Sequence, residues 1–138
     1  MTEHKAFEPR VLLRSEDSGG EVAIVEVLVP PRWAGPPLHR HDFDEAFYVL
    51  DGELTFQLGN ELSTATAGQF AYARGGRVHT LANLSDDPAR YLLIITPAGF
   101  ERYFDRVAAE NAGIEPPLSA LGPIPEVSTV GPQISAST

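Results

Sequence analysis

The chain contains no cysteine. Disulfides, thiolate metal sites and a cysteine nucleophile are therefore excluded. Cations are scarce as well: Lys and Arg together number 10 against 19 Asp and Glu, and the formal net charge is −9. Contact with nucleic-acid phosphates needs clustered Lys and Arg, so no nucleic-acid partner is expected. The acids are scattered and form no run that would make a disordered acidic tail. No apolar run approaches the length of a membrane span, so no membrane partner is expected. The longest, Tyr91 to Thr96, reads as a buried strand. The first residues, Met1-Thr2-Glu3-His4-Lys5, have no apolar segment and no secretory cleavage pattern, which makes a cytoplasmic location the expectation.

What is present is a series of short β-type segments. A length of 138 residues suits one domain with one core. Val11 to Leu13 is a short apolar patch, closed by the turn signal Ser18-Gly19-Gly20. Val22 to Val29 is β-branched and nearly continuous, and Pro30-Pro31 stops it. Ala46 to Leu50 is followed by the hairpin signal Asp51-Gly52, and Leu54, Phe56 and Leu58 alternate with polar residues. Four more short strands are read at 62–66, 70–73, 78–84 and 89–96. Phe100, Phe104 and Val107 recur at helical steps, which predicts one helix over 99–111 ended by Gly113. The pattern predicts an all-β sandwich or barrel with that helix at its C-terminal end, occupying residues 1–113. Residues 114–138 carry five prolines and then Ser and Thr. This tail is expected without regular secondary structure, either disordered or laid along the surface.

The chemistry is concentrated in the histidines. Three of the four are His39, His41 and His79; His4 sits in a polar N-terminus as a solvated bystander. Residues two apart on a strand share a face, so His39 and His41 can aim at one point. Glu45 follows after a short acidic turn and can face the same way. His79 would come from a distant strand. Three imidazoles and one carboxylate suit a first-row divalent metal, with open positions left for oxygen or substrate.

The glycines around these residues give the pattern a second layer. The chain reads Gly35-Pro36-Pro37-Leu38-His39-Arg40-His41, then Glu45 and, after six residues, Gly52. Further on come Gly68, Arg74-Gly75-Gly76, His79 and Asn83. This resembles the two motifs of the cupin superfamily, G-x5-H-x-H-x3-4-E-x6-G and G-x5-P-x-G-x2-H-x3-N. Carried over, His39, His41, Glu45 and His79 take the metal-ligand places, and Gly52, Gly68, Gly76 and Asn83 the structural ones. Two positions depart. Only three residues separate Gly35 from His39, and Arg74 stands where the motif has proline. The resemblance implies a small antiparallel jelly-roll barrel and one bound divalent transition metal ion (Fe, Mn, Ni, Co, Cu or Zn).

The runs Phe47-Tyr48-Val49-Leu50-Asp51-Gly52-Glu53-Leu54-Thr55-Phe56 and Thr96 to Phe104 look like those of quercetin dioxygenase-like cupins. That resemblance implies a dioxygenase-type oxidoreductase acting on a small aromatic or enolic substrate inside the barrel. Two alternatives stay open. One is a cupin isomerase, lyase or hydrolase that uses the metal as a Lewis acid; the other is a non-enzymatic small-molecule-binding cupin. Glu45 is either a metal ligand only or also the general base. Phe47 and Val49 share the alternation parity of Glu45 and are expected to line the substrate pocket, with Phe56, Tyr72 and Ile94 as further candidates. Arg74 is read as a solvated turn residue. A homodimer is expected by resemblance, with Tyr48 and Leu50 on the apolar outer face.

Overall fold

Alternation of buried and exposed side chains sets the architecture. The computed structural model describes residues 7–134, so His4 lies outside the described residues. In chain order the elements are β1 (Glu8–Leu13), α1 (Ser15–Ser18), β2 (Ala23–Val29), β3 (His39–Arg40), β4 (Asp44–Asp51), β5 (Glu53–Leu58), β6 (Glu61–Thr66), β7 (Phe70–Ala73), β8 (His79–Ala82), β9 (Ala89–Thr96), α2 (Glu101–Ala112) and β10 (Ser128–Thr129). They form two five-stranded antiparallel sheets, ordered β1-β2-β9-β4-β7 and β10-β3-β8-β5-β6. This is the expected jelly roll with one main helix. The two sheets remain separate ladders and are not closed into a hydrogen-bonded barrel.

The core lies between the sheets. In the first sheet Ala23, Val25, Val27 and Val29 of β2 face inward beside Tyr91, Leu93 and Ile95 of β9. Phe47 and Val49 of β4 join them, and Leu54, Phe56 and Leu81 come from the second sheet. β-branched and aromatic side chains suit this role because they pack well on a pleated, half-buried surface. Helix α2 ends where Gly113 adopts a left-handed conformation, as the sequence predicts. Its acids Glu101 and Asp105 are buried, which is unusual for carboxylates. Arg14 grips Asp105 with two hydrogen bonds at 2.9 and 2.8 Å. The Ser15 backbone N–H and hydroxyl both donate to Glu101. These contacts tie α2 to the β1–α1 corner. The four-residue α1 has no counterpart in the sequence reading, since one turn is too short to show a period.

The proline-rich tail is ordered along the surface, and the expectation that it lacks regular structure is corrected. Leu118–Leu121 makes a 3₁₀ turn, and β10 pairs with β3. The reason is spacing: residues 126–131 lie between Pro125 and Pro132 and keep all their N–H donors. Arg106 fastens the turn by donating to the Ala120 and Gly122 carbonyls, and Arg102 donates to that of Pro123.

Candidate metal centre

β3, the loop after it, β4 and β8 bring His39, His41, Glu45 and His79 to one place. His39 and His79 are directly opposite each other in the β3–β8 ladder. Glu45 comes from the facing sheet, on the inward parity of β4. One ligand atom from each of the four lies within 4.8 Å of every other. Two ligands on opposite sides of one ion sit roughly 4.2 Å apart, given bonds of about 2.1 Å. The four are therefore within small side-chain adjustments of a shared ion.

The ring orientations are fixed from behind. Nδ1 of His39 lies 2.7 Å from the Pro37 carbonyl, Nδ1 of His41 lies 2.9 Å from that of Phe43, and Nδ1 of His79 lies 2.7 Å from that of Arg77. A carbonyl only accepts, so each Nδ1 carries the hydrogen and each neutral ring presents the Nε2 lone pair to the cluster. Metal-ligating histidines are held in this way. On the cluster side, Nε2 of His41 and of His79 lie 3.0 and 2.9 Å from the same Glu45 oxygen, Oε1. A lone pair cannot face a carboxylate oxygen without a cation between them. That cation is either a proton, making imidazolium, or a metal ion in its place. The donor set therefore fits a divalent ion.

Glu45, His41 and His79 are buried and His39 is half-buried. Burial alone would raise the Glu45 carboxyl, but the hydrogen bonds and charges of His41 and His79 outweigh it and hold the value at about 2. Burial lowers His39 below the ordinary imidazole value, partly offset by its bond to Pro37. His41 stacks on Phe43 with centroids 3.6 Å apart, and Phe43 in turn stacks on Phe100.

Glycines and Asn83 hold the loops that carry the ligands. Gly75 donates to Asp44 at 2.6 Å and Gly76 to the His41 carbonyl at 2.7 Å, which fastens the turn before His79 to the loop after His41. A Cβ on Gly75 would collide with the Asp42 carbonyl. Gly35 has φ +75°, and a Cβ there would collide with the Leu81 carbonyl. Its closer spacing to His39 thus serves a tight crossing over β8. Asn83 is fully buried; its amide donates to the Pro30 and Asp87 carbonyls and its oxygen accepts from Ser85.

The cluster opens into a cavity of about 610 Å³. Phe47 lines it as expected, together with Trp33, Tyr91, Leu93, Phe100 and Tyr103. Four pocket expectations are corrected. Val49 and Phe56 face inward but are buried in the core and do not line the cavity. Tyr72 and Ile94 point to the outer face, because Glu45 pairs with both Ala73 and Ile95, which sets the opposite parity for their neighbours. Arg74 is exposed beside Tyr72 in a shallow surface depression, away from the cavity. Tyr91 and Leu93 also line the cavity and were not legible in the sequence, because their parity is hidden in a continuous apolar run. Ile124, Pro125, Val127 and Thr129 of the tail, which close one side of the cavity, carry no sequence signal for that place either.

A cupin domain model matches residues 25–95, more than half of the chain. The chain belongs to the cupin family, and its His39, His41, Glu45, His79 cluster can hold a metal ion. No curated protein matches the chain. Among solved structures, it is similar to a predicted oxalate decarboxylase from Thermotoga maritima, at 24% identity and TM-score 0.62 over 66% of this chain and 80% of that one. The polyketide cyclase RemF from Streptomyces resistomycificus matches at 21% identity and TM-score 0.59 over 67% and 66%. KdgF from Halomonas sp. matches at 16% identity and TM-score 0.59 over 70% and 84%. At these identities the likeness concerns the fold. No helix among the described residues is long and apolar enough to cross a membrane.

Proposed function

We propose that this cupin is a metal-dependent enzyme of the dioxygenase type, acting on a small aromatic or enolic substrate held between the sheets. The observation that carries the reading is a convergent four-residue cluster, three of whose members, His39, His41 and Glu45, stand in the wall of an aromatic-lined cavity. Such a cavity suits a planar, largely apolar ligand with a few polar anchor points. His39, His41 and His79 would hold the ion through Nε2 and Glu45 through Oε1. The ion would supply Lewis acidity to a substrate oxygen and a meeting point for dioxygen.

The chain's own residues do the rest. The backbone carbonyls behind the three rings keep the lone pairs aimed forward. Phe47, Leu93 and Phe100 exclude water from the substrate's apolar body. Glu45 serves first as a ligand, because a carboxylate held at about 2 is a weak proton acceptor. Both of its short contacts fall on Oε1, which leaves Oε2 to accept a hydrogen bond from a substrate hydroxyl. The chain acts as a homodimer, a reading supported by Tyr48, Phe70 and Tyr72 standing exposed together on the outer face of β4 and β7.

The test is elemental analysis of the purified protein followed by oxygen-electrode assays against flavonols and other enolic compounds. Bound metal with oxygen uptake is the expected result. Bound metal without uptake would favour isomerase, lyase or hydrolase chemistry, and ligand binding without turnover would favour a binding protein.

A further inference from the structure

Tyr91 is 2% exposed, lines the cavity, and its hydroxyl has no hydrogen-bond partner among the described residues. The other buried polar groups are all accounted for. Thr80 donates to the Pro36 carbonyl, Asn83 spans the Pro30 and Asp87 carbonyls, and Glu101 and Asp105 are held by Ser15 and Arg14. The metal-centre residues are held by the backbone carbonyls behind the three rings and face one another across the cluster. A buried phenol ordinarily finds a partner, and a position that needed only bulk would be served by Phe.

The register places Tyr91 relative to the metal centre. Along the inner face of β4 and β9 the paired rows run Glu45 with Ile95, Phe47 with Leu93, and Val49 with Tyr91. Tyr91 is thus separated from the Glu45 row by one apolar row, and its ring lies 5.9 Å from that of Phe47. A ligand that touches both Tyr91 and the cluster would rest on Phe47 and Leu93, which lie in the row between them.

We propose that Tyr91 is the second polar anchor of the cavity: its hydroxyl donates a hydrogen bond to an oxygen of a bound aromatic compound whose other end reaches the His39, His41, Glu45, His79 cluster. The ligand class is a rigid, largely apolar ring system with oxygen at both ends. The assignment rests on the cavity being the substrate site, but not on oxygen being consumed there.

The experiment compares wild type with Tyr91→Phe, which removes only the hydroxyl, in the full chain with zinc added so that binding is read without turnover. The probes are 3-hydroxyflavone, with oxygens at one edge of its ring system, and quercetin, which adds hydroxyls at the far ends. Calorimetric titration should show quercetin binding weakened roughly tenfold in Tyr91→Phe, the loss of one neutral hydrogen bond, while 3-hydroxyflavone is unchanged within about twofold. Equal effects on the two probes, or none on quercetin, overturn the assignment and leave the oxygenase reading standing. Failure of quercetin to bind wild type overturns the ligand class. The expected difference without oxygen uptake by the iron- or manganese-loaded protein supports Tyr91 and sinks the oxygenase reading.

Discussion

Each imidazole of the cluster is fixed by one backbone carbonyl, so single substitutions there should separate metal binding from folding. His79→Ala removes one ligand from a strand that its backbone ladder still holds. Metal content by elemental analysis should fall by roughly tenfold or more, with the β-sheet circular dichroism signal retained. Full occupancy in that variant would exclude His79 as a ligand. Protons compete for the same lone pairs, so metal affinity should fall as pH drops through about 6.5. The metal-free fold has its own dependence. His39 is lowered in the folded state, so its unfavourable contribution grows as pH falls below its ordinary value of about 6.5. Glu45 is also lowered, so its contribution is present above about 4.3 and is lost as pH falls towards about 2. Urea midpoints measured across this range should decline on acidification at constant m-value. A flat profile from pH 7 to 3 would contradict both assignments.

At the scale of elements, two connections decide whether the ligands stay aligned. The first is the turn around Gly75, which has no room for a side chain. Gly75→Ala should lower stability by about 2 kcal/mol, through displaced backbone, and weaken metal binding with it. The second is the anchoring of α2. Arg14→Ala would leave the buried Asp105 carboxylate without its ion pair, and thermal or urea unfolding should register a loss of about 2 to 4 kcal/mol. Metal affinity should change little, because α2 supplies cavity wall and no ligand. What could be read from the sequence divides along the same line. His39, His41 and Glu45 were legible from their close spacing, His79 from the resemblance of its surroundings to the second cupin motif, and Phe47 because it follows Glu45 by two on one strand. Tyr72 and Ile94 were misplaced for two reasons. In β7 the small Ala71 and Ala73 face inward and the large Phe70 and Tyr72 outward, the reverse of what size suggests. In β9 every residue from Tyr91 to Ile95 is apolar, so only the pairing of Ile95 with Glu45 fixes which side each one takes.

At the scale of the molecule, the cavity is completed by residues far apart in the chain. Phe7 and Trp33 stack at 5.5 Å on one side, and Ile124 to Thr129 cover another. No local pattern announces such neighbours, which is why the tail's part in the site was not visible in its prolines. A variant ending at Gly122 should keep both sheets, as seen by circular dichroism, yet melt at a lower temperature and bind metal and flavonol more weakly. Unchanged binding would show that the tail is only decoration. The pairing of β10 with β3, which sets Thr129 opposite His39, has one more consequence. During translation the three histidines and Glu45 emerge well before the strand that buttresses them. The nascent chain therefore holds β3, and His39 with it, through β8 alone until residue 129 has cleared the ribosome, and full metal affinity should be a property acquired late in synthesis.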